Sequence, residues 1–289
     1  MADLDIEPEI PEGINHSKTH PLADFGLMLV GALAFVLALV GLAHVLASFL
    51  VVYIPFEIEE TLVETLHINE LYESNDEYVE QTLALQELAD RLSAHMNLPE
   101  GMVIHAHYDP SDIPNAFATL AGNIVIYQGL IDKVSSENGL AMVVAHEIAH
   151  IKHRDPIMSL GRGAVTLISI AALSGFGDSS VIANIAGFTG AGALSQFSQN
   201  QESRADEDAV AAVLAEYGTL AGADEFFTQM LEEFGDSGSL EFAFFSTHPP
   251  TDERIEHLQV APNTSNQDLE LILVPLPEVL LGETNATED

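Results

Sequence analysis

Between Phe25 and Ile54 the chain runs for about thirty residues without one Asp, Glu, Lys or Arg. A helix that crosses a bilayer needs about twenty apolar residues. This run is therefore long enough to span with some tilt or with an interfacial extension. His44 is the only strongly polar side chain inside it, read as a neutral residue near the interface or packed on a partner. A signal peptide has a shorter apolar core behind a basic leader. Here the run is longer, starts late and has no basic leader, so a retained transmembrane helix over 22–55 is expected, with the bilayer contacted through 25–54.

Residues 1–21 are polar and acidic, with Pro8 and Pro11 and no apolar periodicity, and read as a disordered acidic tail. Lys18 precedes the span, and no further Lys or Arg occurs until Arg91. The positive-inside rule then puts the N-terminus in the cytoplasm and the bulk of the chain outside. In a bacterium this means a single pass through the inner membrane and a periplasmic catalytic domain.

Composition excludes several functions. Forty-five Asp and Glu face eight Lys and Arg, a formal charge of -37. Nucleic-acid binding needs a positive footprint that displaces counterions, and none exists here. The acidity fits a saline host in which surface charge is screened, or a general solubility device. With no cysteine, disulfides, thiolate nucleophiles and Cys-based zinc sites are all ruled out. A metal must rest on His and carboxylate.

Past Pro55, periodic Leu positions over 76–97 predict a helix capped by Asn75. Met102 to His107 and Asn123 to Ile131 read as strands, the second broken at Gly129. His105 and His107 share one strand face, where exposure or hydrogen bonding is a commoner fate than metal binding. Helices are expected over 137–153 with Ser135 or Ser136 as cap, and over 198–217, 221–234 and 251–259, the last capped by Thr251. The apolar stretches 164–173 and 181–194 are shorter than a bilayer span. Core packing or a cap over the site is expected of them, with a re-entrant hairpin or a membrane-surface element as alternatives. The last twenty or so residues are acidic, apart from an apolar patch that can add a strand.

The chemistry concentrates in His146–Glu147–Ile148–Ala149–His150. On a helix, residues four apart stand one above the other, so both imidazoles can reach one ion. Glu147 sits about 100° round the helix from His146. That direction suits a carboxylate facing a water nucleophile better than a direct ligand. H-E-x-x-H is the zincin spacing, two zinc ligands and a general base. A catalytic zinc keeps three protein ligands and an open position, so a third must come from elsewhere. His153 lies on the same face but one turn too far on. Glu202 is the better candidate, with Asp206 four residues on along the same face to fix the tautomer of a ligand His. On spacing alone, an acidic solvated helix face explains Glu202 and Asp206 equally well.

Four segments in order then make the chain resemble the M48 family of membrane-associated zinc metallopeptidases, the HtpX-type gluzincins. They are NAFATLAGNIVIYQGLI (115–131), HEIAH (146–150), ESRAD (202–206) and THPPTDERI (247–255). The resemblance covers roughly 80–260. It implies a zinc-dependent endopeptidase of α+β, mostly helical fold, a zincin-like domain with a small sheet over 56–262, preceded by one transmembrane helix and followed by an acidic tail over 263–289. It implies one zinc ion per chain on His146, His150 and Glu202, with Glu147 as base. It implies that Asp206 orients a ligand His, some family descriptions casting it as a proton donor, and that Asn115 and Ala116 bind substrate backbone by strand addition. His248 or Arg254 steadies the oxyanion or ties the site together. Polypeptide substrates, misfolded or near the membrane, follow from the same likeness, and so does a quality-control role. Where the family often has Ser-Arg before the ligand glutamate, this chain has Ser198–Gln199, which removes that ion pair. The enzymatic alternative is a narrow-specificity processing peptidase. The alternative from another class is a membrane-tethered chaperone or assembly factor with a latent or structural zinc site.

Overall fold

A computed structural model describes residues 21–72, 76–174, 197–234, 244, 248 and 273–281. Residues 1–20 of the first tail, Asn75, the 181–194 stretch, the 251–259 helix with Thr251, and Arg254 lie outside the described residues. The chain divides into two compact units, 1–43 and 44–289.

The first unit holds most of helix α1, Pro21–Leu50. Residues Leu22–Ala47 are long and apolar enough to cross a membrane by length and composition. Apolar residues surround the helix instead of forming one stripe, the pattern of a helix in an apolar medium. A helix was expected over 22–55; the α-helix spans Pro21–Leu50 and a 3-10 turn covers Val51–Tyr53. Ile54 precedes Pro55 and is extended (φ −68°, ψ 122°), because proline disfavours the helical region for its predecessor.

The second unit carries a three-stranded sheet and the remaining helices. Helix α2 spans Phe56–Thr65 and α3 Val79–Ser93. Strands β1 (His105–Asp109), β2 (Ala116–Ala118) and β3 (Asn123–Tyr127) lie in the order β1-β3-β2. β1 runs parallel to β3 with His105 opposite Asn123, and β2 runs antiparallel to it with Phe117 opposite Val125. Ile124, Val125 and Ile126 are fully buried, as a central strand of β-branched residues should be.

Two strand boundaries differ from the sequence expectation. β1 begins at His105, three residues late, since pairing starts only where Asn123 is opposite; Met102 instead closes a turn onto the Pro99 carbonyl. β3 ends at Tyr127, and Gln128–Ile131 form the short helix α4. Gly129 is needed there because a Cβ would fall 2.2 Å from the Asp112 carbonyl oxygen.

Helix α5, Glu137–Lys152, is buried from Glu137 to Ile151 and is the centre of the fold. Ser136 caps it by accepting from the Gly139 N–H at 3.2 Å. Helix α6 spans Asp155–Ser174 and so contains the expected 164–173 stretch. Helix α7, Gln199–Tyr217, opens on a capping box of Ser198 and Gln201 and ends at Gly218 in the left-handed conformation. Ala205, Ala209 and Ala212 are fully or nearly fully buried on α7, and small side chains at this spacing let it approach α5 closely. Helix α8, Glu225–Phe234, starts four residues later than expected and buries Phe226, Phe227 and Met230.

The apolar patch near the C-terminus forms no strand among the described residues. Residues 273–277 have no regular structure and lead into a 3-10 turn at Glu278–Leu280. The Val274 carbonyl accepts the Glu137 N–H at 2.7 Å, and Leu276 and Leu280 enter the core.

Candidate active site

Helix α5 presents His146, Glu147 and His150, all fully buried. Their rings face one another: His146 Nε2 lies 3.0 Å from His150 Nε2. Helix α7 supplies Glu202 from its first turn, with Oε2 3.5 Å from His146 Nε2 and Oε1 3.6 Å from His150 Nε2. The capping box at Ser198 sets where that turn begins, and so where Glu202 points.

His248 comes from a distant part of the chain. Its N–H donates to the Phe244 carbonyl at 2.9 Å, its ring stacks on Phe244 (4.6 Å, 24°), and Phe244 meets Phe226 of α8 edge-on. This leaves His248 Nδ1 3.1 Å from Glu202 Oε1 and 3.3 Å from His146 Nε2. One donor atom from each of His146, His150, Glu202 and His248 thus lies within 4.8 Å of the others. Phe197 stacks on His150 at 4.1 Å and walls the cluster with an apolar face.

The far side of each ring explains the near side. His146 Nδ1 is 3.0 Å from Asp206 Oδ1. His150 Nδ1 is 2.9 Å from Asp155 Oδ2, which was not foreseen. Ionised carboxylates only accept, so both Nδ1 atoms carry hydrogen. Both Nε2 lone pairs then point at each other and at a carboxylate. Acceptors converging in a dry pocket are costly unless a cation joins them. Imidazole nitrogens with a carboxylate oxygen are a donor set suited to zinc. Asp155 is held in turn by the Gln201 amide at 2.6 Å.

Without a metal, a proton takes that role. Burial pushes His146 down, but hydrogen bonds to Asp206 and Glu202 outweigh it and raise its pKa to about 10. Burial likewise raises Glu202, yet His248 and His146 hold it well below the usual carboxylate range. Burial dominates His248, lowered to about 3 despite the pull of Glu202. It lowers His150 as well, against the opposing hydrogen bond that His150 donates to Asp155.

Glu147 points beside the cluster, with Oε1 3.5 Å from His248 Nε2. His153 lies outside the cluster, where its Nε2 meets Asp208 at 2.8 Å. His105 is exposed, while His107 stacks on Tyr72 and bonds Asn123 at 2.8 Å, the bland fate expected for this pair. Asn115 and Ala116 lie at the start of β2, an edge strand of the sheet that packs on α5. The Asn115 carbonyl accepts from the Tyr127 N–H at 3.1 Å, and its buried side-chain oxygen has no hydrogen-bond partner among the described residues.

One helix that offers two ring nitrogens, answered by a carboxylate from a later helix, is the architecture of a zincin-like metallopeptidase, a hydrolase of peptide bonds. Residues 79–261 match the family described as Peptidase family M48, and the chain belongs to that family. It is 31% identical over 205 residues to the Protease HtpX homolog of Salinibacter ruber, covering 61% of this chain and 73% of that protein. It is 28% identical over 158 residues to the mitochondrial metalloendopeptidase OMA1 of Schizosaccharomyces pombe, 54% of this chain and 45% of that one. It is 34% identical over 151 residues to the putative beta-barrel assembly-enhancing protease of Vibrio cholerae, 49% of this chain and 31% of that one.

Proposed function

We propose that the chain is a membrane-anchored zinc endopeptidase in which His146, His150 and Glu202 hold one zinc ion and Glu147 is the general base. The observation that carries this reading is the pair of imidazoles whose Nδ1 atoms are committed to Asp206 and Asp155, which turns both Nε2 lone pairs towards Glu202. A zinc ion held by His146, His150 and Glu202 would supply Lewis acidity, polarising a peptide carbonyl and lowering the pKa of a water from about 15.7 towards neutrality. Glu147 accepts the proton of the attacking water and returns it to the leaving amine. Neutral His248 has one ring hydrogen; with Glu202 committed to zinc, that hydrogen can sit on Nε2, near Glu147, and donate to the charge that develops on the carbonyl oxygen. The free edge of β2, with Asn115 and Ala116, receives the substrate backbone as an added strand. Asp206 positions His146 in this scheme.

The peptidase domain is read as 56–262, to which residues 273–281 contribute packed side chains. The apolar helix within 22–55 is read as its anchor, in the inner membrane of a bacterium with the active site on the periplasmic side. Anchoring favours misfolded or membrane-proximal polypeptides as substrates and a role in quality control. Replacing Glu202 by Ala should abolish stoichiometric zinc binding in the folded protein; unchanged zinc content would remove Glu202 from the ligand set.

One observation favours a second reading, a latent site. His248 Nδ1 is close enough to Glu202 and His146 to be a fourth ligand, and four protein ligands leave no open position. A His248→Ala protein that keeps zinc and cleaves peptides faster than wild type supports latency. One that keeps zinc and cleaves more slowly supports the oxyanion role.

A further inference from the structure

Among the described residues, four that are not glycine adopt left-handed backbone angles: His67, Asn97, Ala121 and Arg154. Such angles are uncommon for residues with a Cβ and persist where neighbours over-determine them. Two of the four, Ala121 and Arg154, are gripped by the same side chain. Glu59, on α2, accepts from the Ala121 N–H through Oε2 at 2.8 Å and meets Arg154 Nη2 through Oε1 at 2.7 Å. Arg154 Nη2 also donates to the Ile54 carbonyl at 2.8 Å, and its guanidinium lies over the Phe56 ring at 5.6 Å.

Both gripped turns lead into the site. Arg154 (φ +62°) ends the α5 helix, and the next residue is Asp155, the fully buried partner of His150 Nδ1. Ala121 (φ +56°) sits in the reversal between β2 and β3. Val51, Val63, Leu120, Ala121 and Ile157 form a small second core around the same junction. A buried ion pair is weak evidence for stability, and fixing one geometry is its better-attested use. In a chain with eight basic residues, one is placed in this buried pair.

We propose that Glu59 is a positioning residue of the metal site: through Arg154 it fixes the turn that presents Asp155 to His150, and through the Ala121 N–H it fixes the reversal that sets the edge strand. The segment that follows the apolar helix is then part of the site's scaffold and not a passive tether. This rests on the zinc peptidase reading.

The test uses the full chain in detergent, with zinc affinity measured against a chromophoric chelator and KM and kcat on an unfolded protein substrate. Glu59→Gln keeps an oxygen for the Ala121 N–H but loses the charge facing Arg154. It should weaken zinc binding about tenfold, the lower end for residues that orient a ligand, with KM little changed. Glu59→Ala should weaken zinc binding similarly and also raise KM. Glu216→Gln, which breaks the Arg91 ion pair away from the site, controls for lost stability and should leave zinc affinity unchanged. If Glu59→Ala fails to fold, Glu59→Gln alone decides. Wild-type zinc affinity in Glu59→Gln, with only a lowered melting temperature, overturns the proposal while the peptidase reading stands. A wild-type protein that binds no zinc overturns both.

Discussion

Asp155 and Asp206 hold the outer nitrogens of two ordinary imidazoles, which leaves both Nε2 atoms facing Glu202. The Asp155→Asn amide can present an N–H to His150 Nδ1 and so favour the wrong tautomer. Zinc affinity should fall roughly 10–100-fold, the usual range when such a partner is lost. A chelator competition showing no change would mean that the His150 tautomer is set elsewhere. Titration gives a second test. With a folded pKa of about 3 against an unfolded value of 6.5, His248 withholds a proton that the unfolded chain takes up, so metal-free stability falls as pH drops through that window. For His146, raised to about 10, the contribution is complete below 6.5 and lost as pH climbs towards 10. Zinc must displace the His146 proton, so its melting-temperature shift should be larger at pH 8 than at pH 6. A shift independent of pH would contradict this. His146, Glu147 and His150 are legible from helical spacing alone. Glu202 and Asp206 needed the family's segment pattern, because nothing in local spacing joins α7 to α5. Asp155 was hidden because the left-handed residue Arg154 separates it from His150, and periodicity does not cross such a break. His248 was anticipated near the reacting atoms, but its place among the donors depends on a stack with Phe244 that no motif encodes.

At the scale of elements, α5 was readable because it carries the apolar run from Leu140 to Ala145 and is bounded by a serine cap, as a buried helix should be. Strand limits were not, since a strand ends where its partner does: β1 is defined by Asn123–Tyr127 opposite it, not by its own composition. The apolar patch in the C-terminal segment was legible as apolar but its mode of docking was not, since Leu276 and Leu280 enter the core beside backbone bonds of Val274 that carry no side-chain signal. Two substitutions separate capping from packing. Ser136→Ala removes one acceptor at the start of α5 and should cost about 1 kcal/mol. Gly129→Ala drives a Cβ into the Asp112 backbone and should cost about 2–3 kcal/mol, in the range of overpacking. Denaturant midpoints that rank the two in the opposite order would show that the loop at 111–113 yields freely.

Across the whole molecule, charge is the dominant feature, with -37 formal units on 289 residues. Like charges on one surface repel, and the Debye length falls from about 10 Å at 0.1 M salt to about 3 Å at 1 M. The unfolding midpoint should therefore rise with potassium chloride over that range, and a falling midpoint would indicate that exposed ion pairs outweigh the repulsion. That trend, like the long apolar helix, was visible in composition, because neither depends on tertiary packing.

Most directly, the account is tested by zinc stoichiometry and chelator-sensitive peptide cleavage measured together on the wild type and on Glu147→Gln. It predicts one zinc per chain in both proteins and hydrolysis in the wild type alone. Metal-free wild type, or undiminished cleavage by Glu147→Gln, would contradict it.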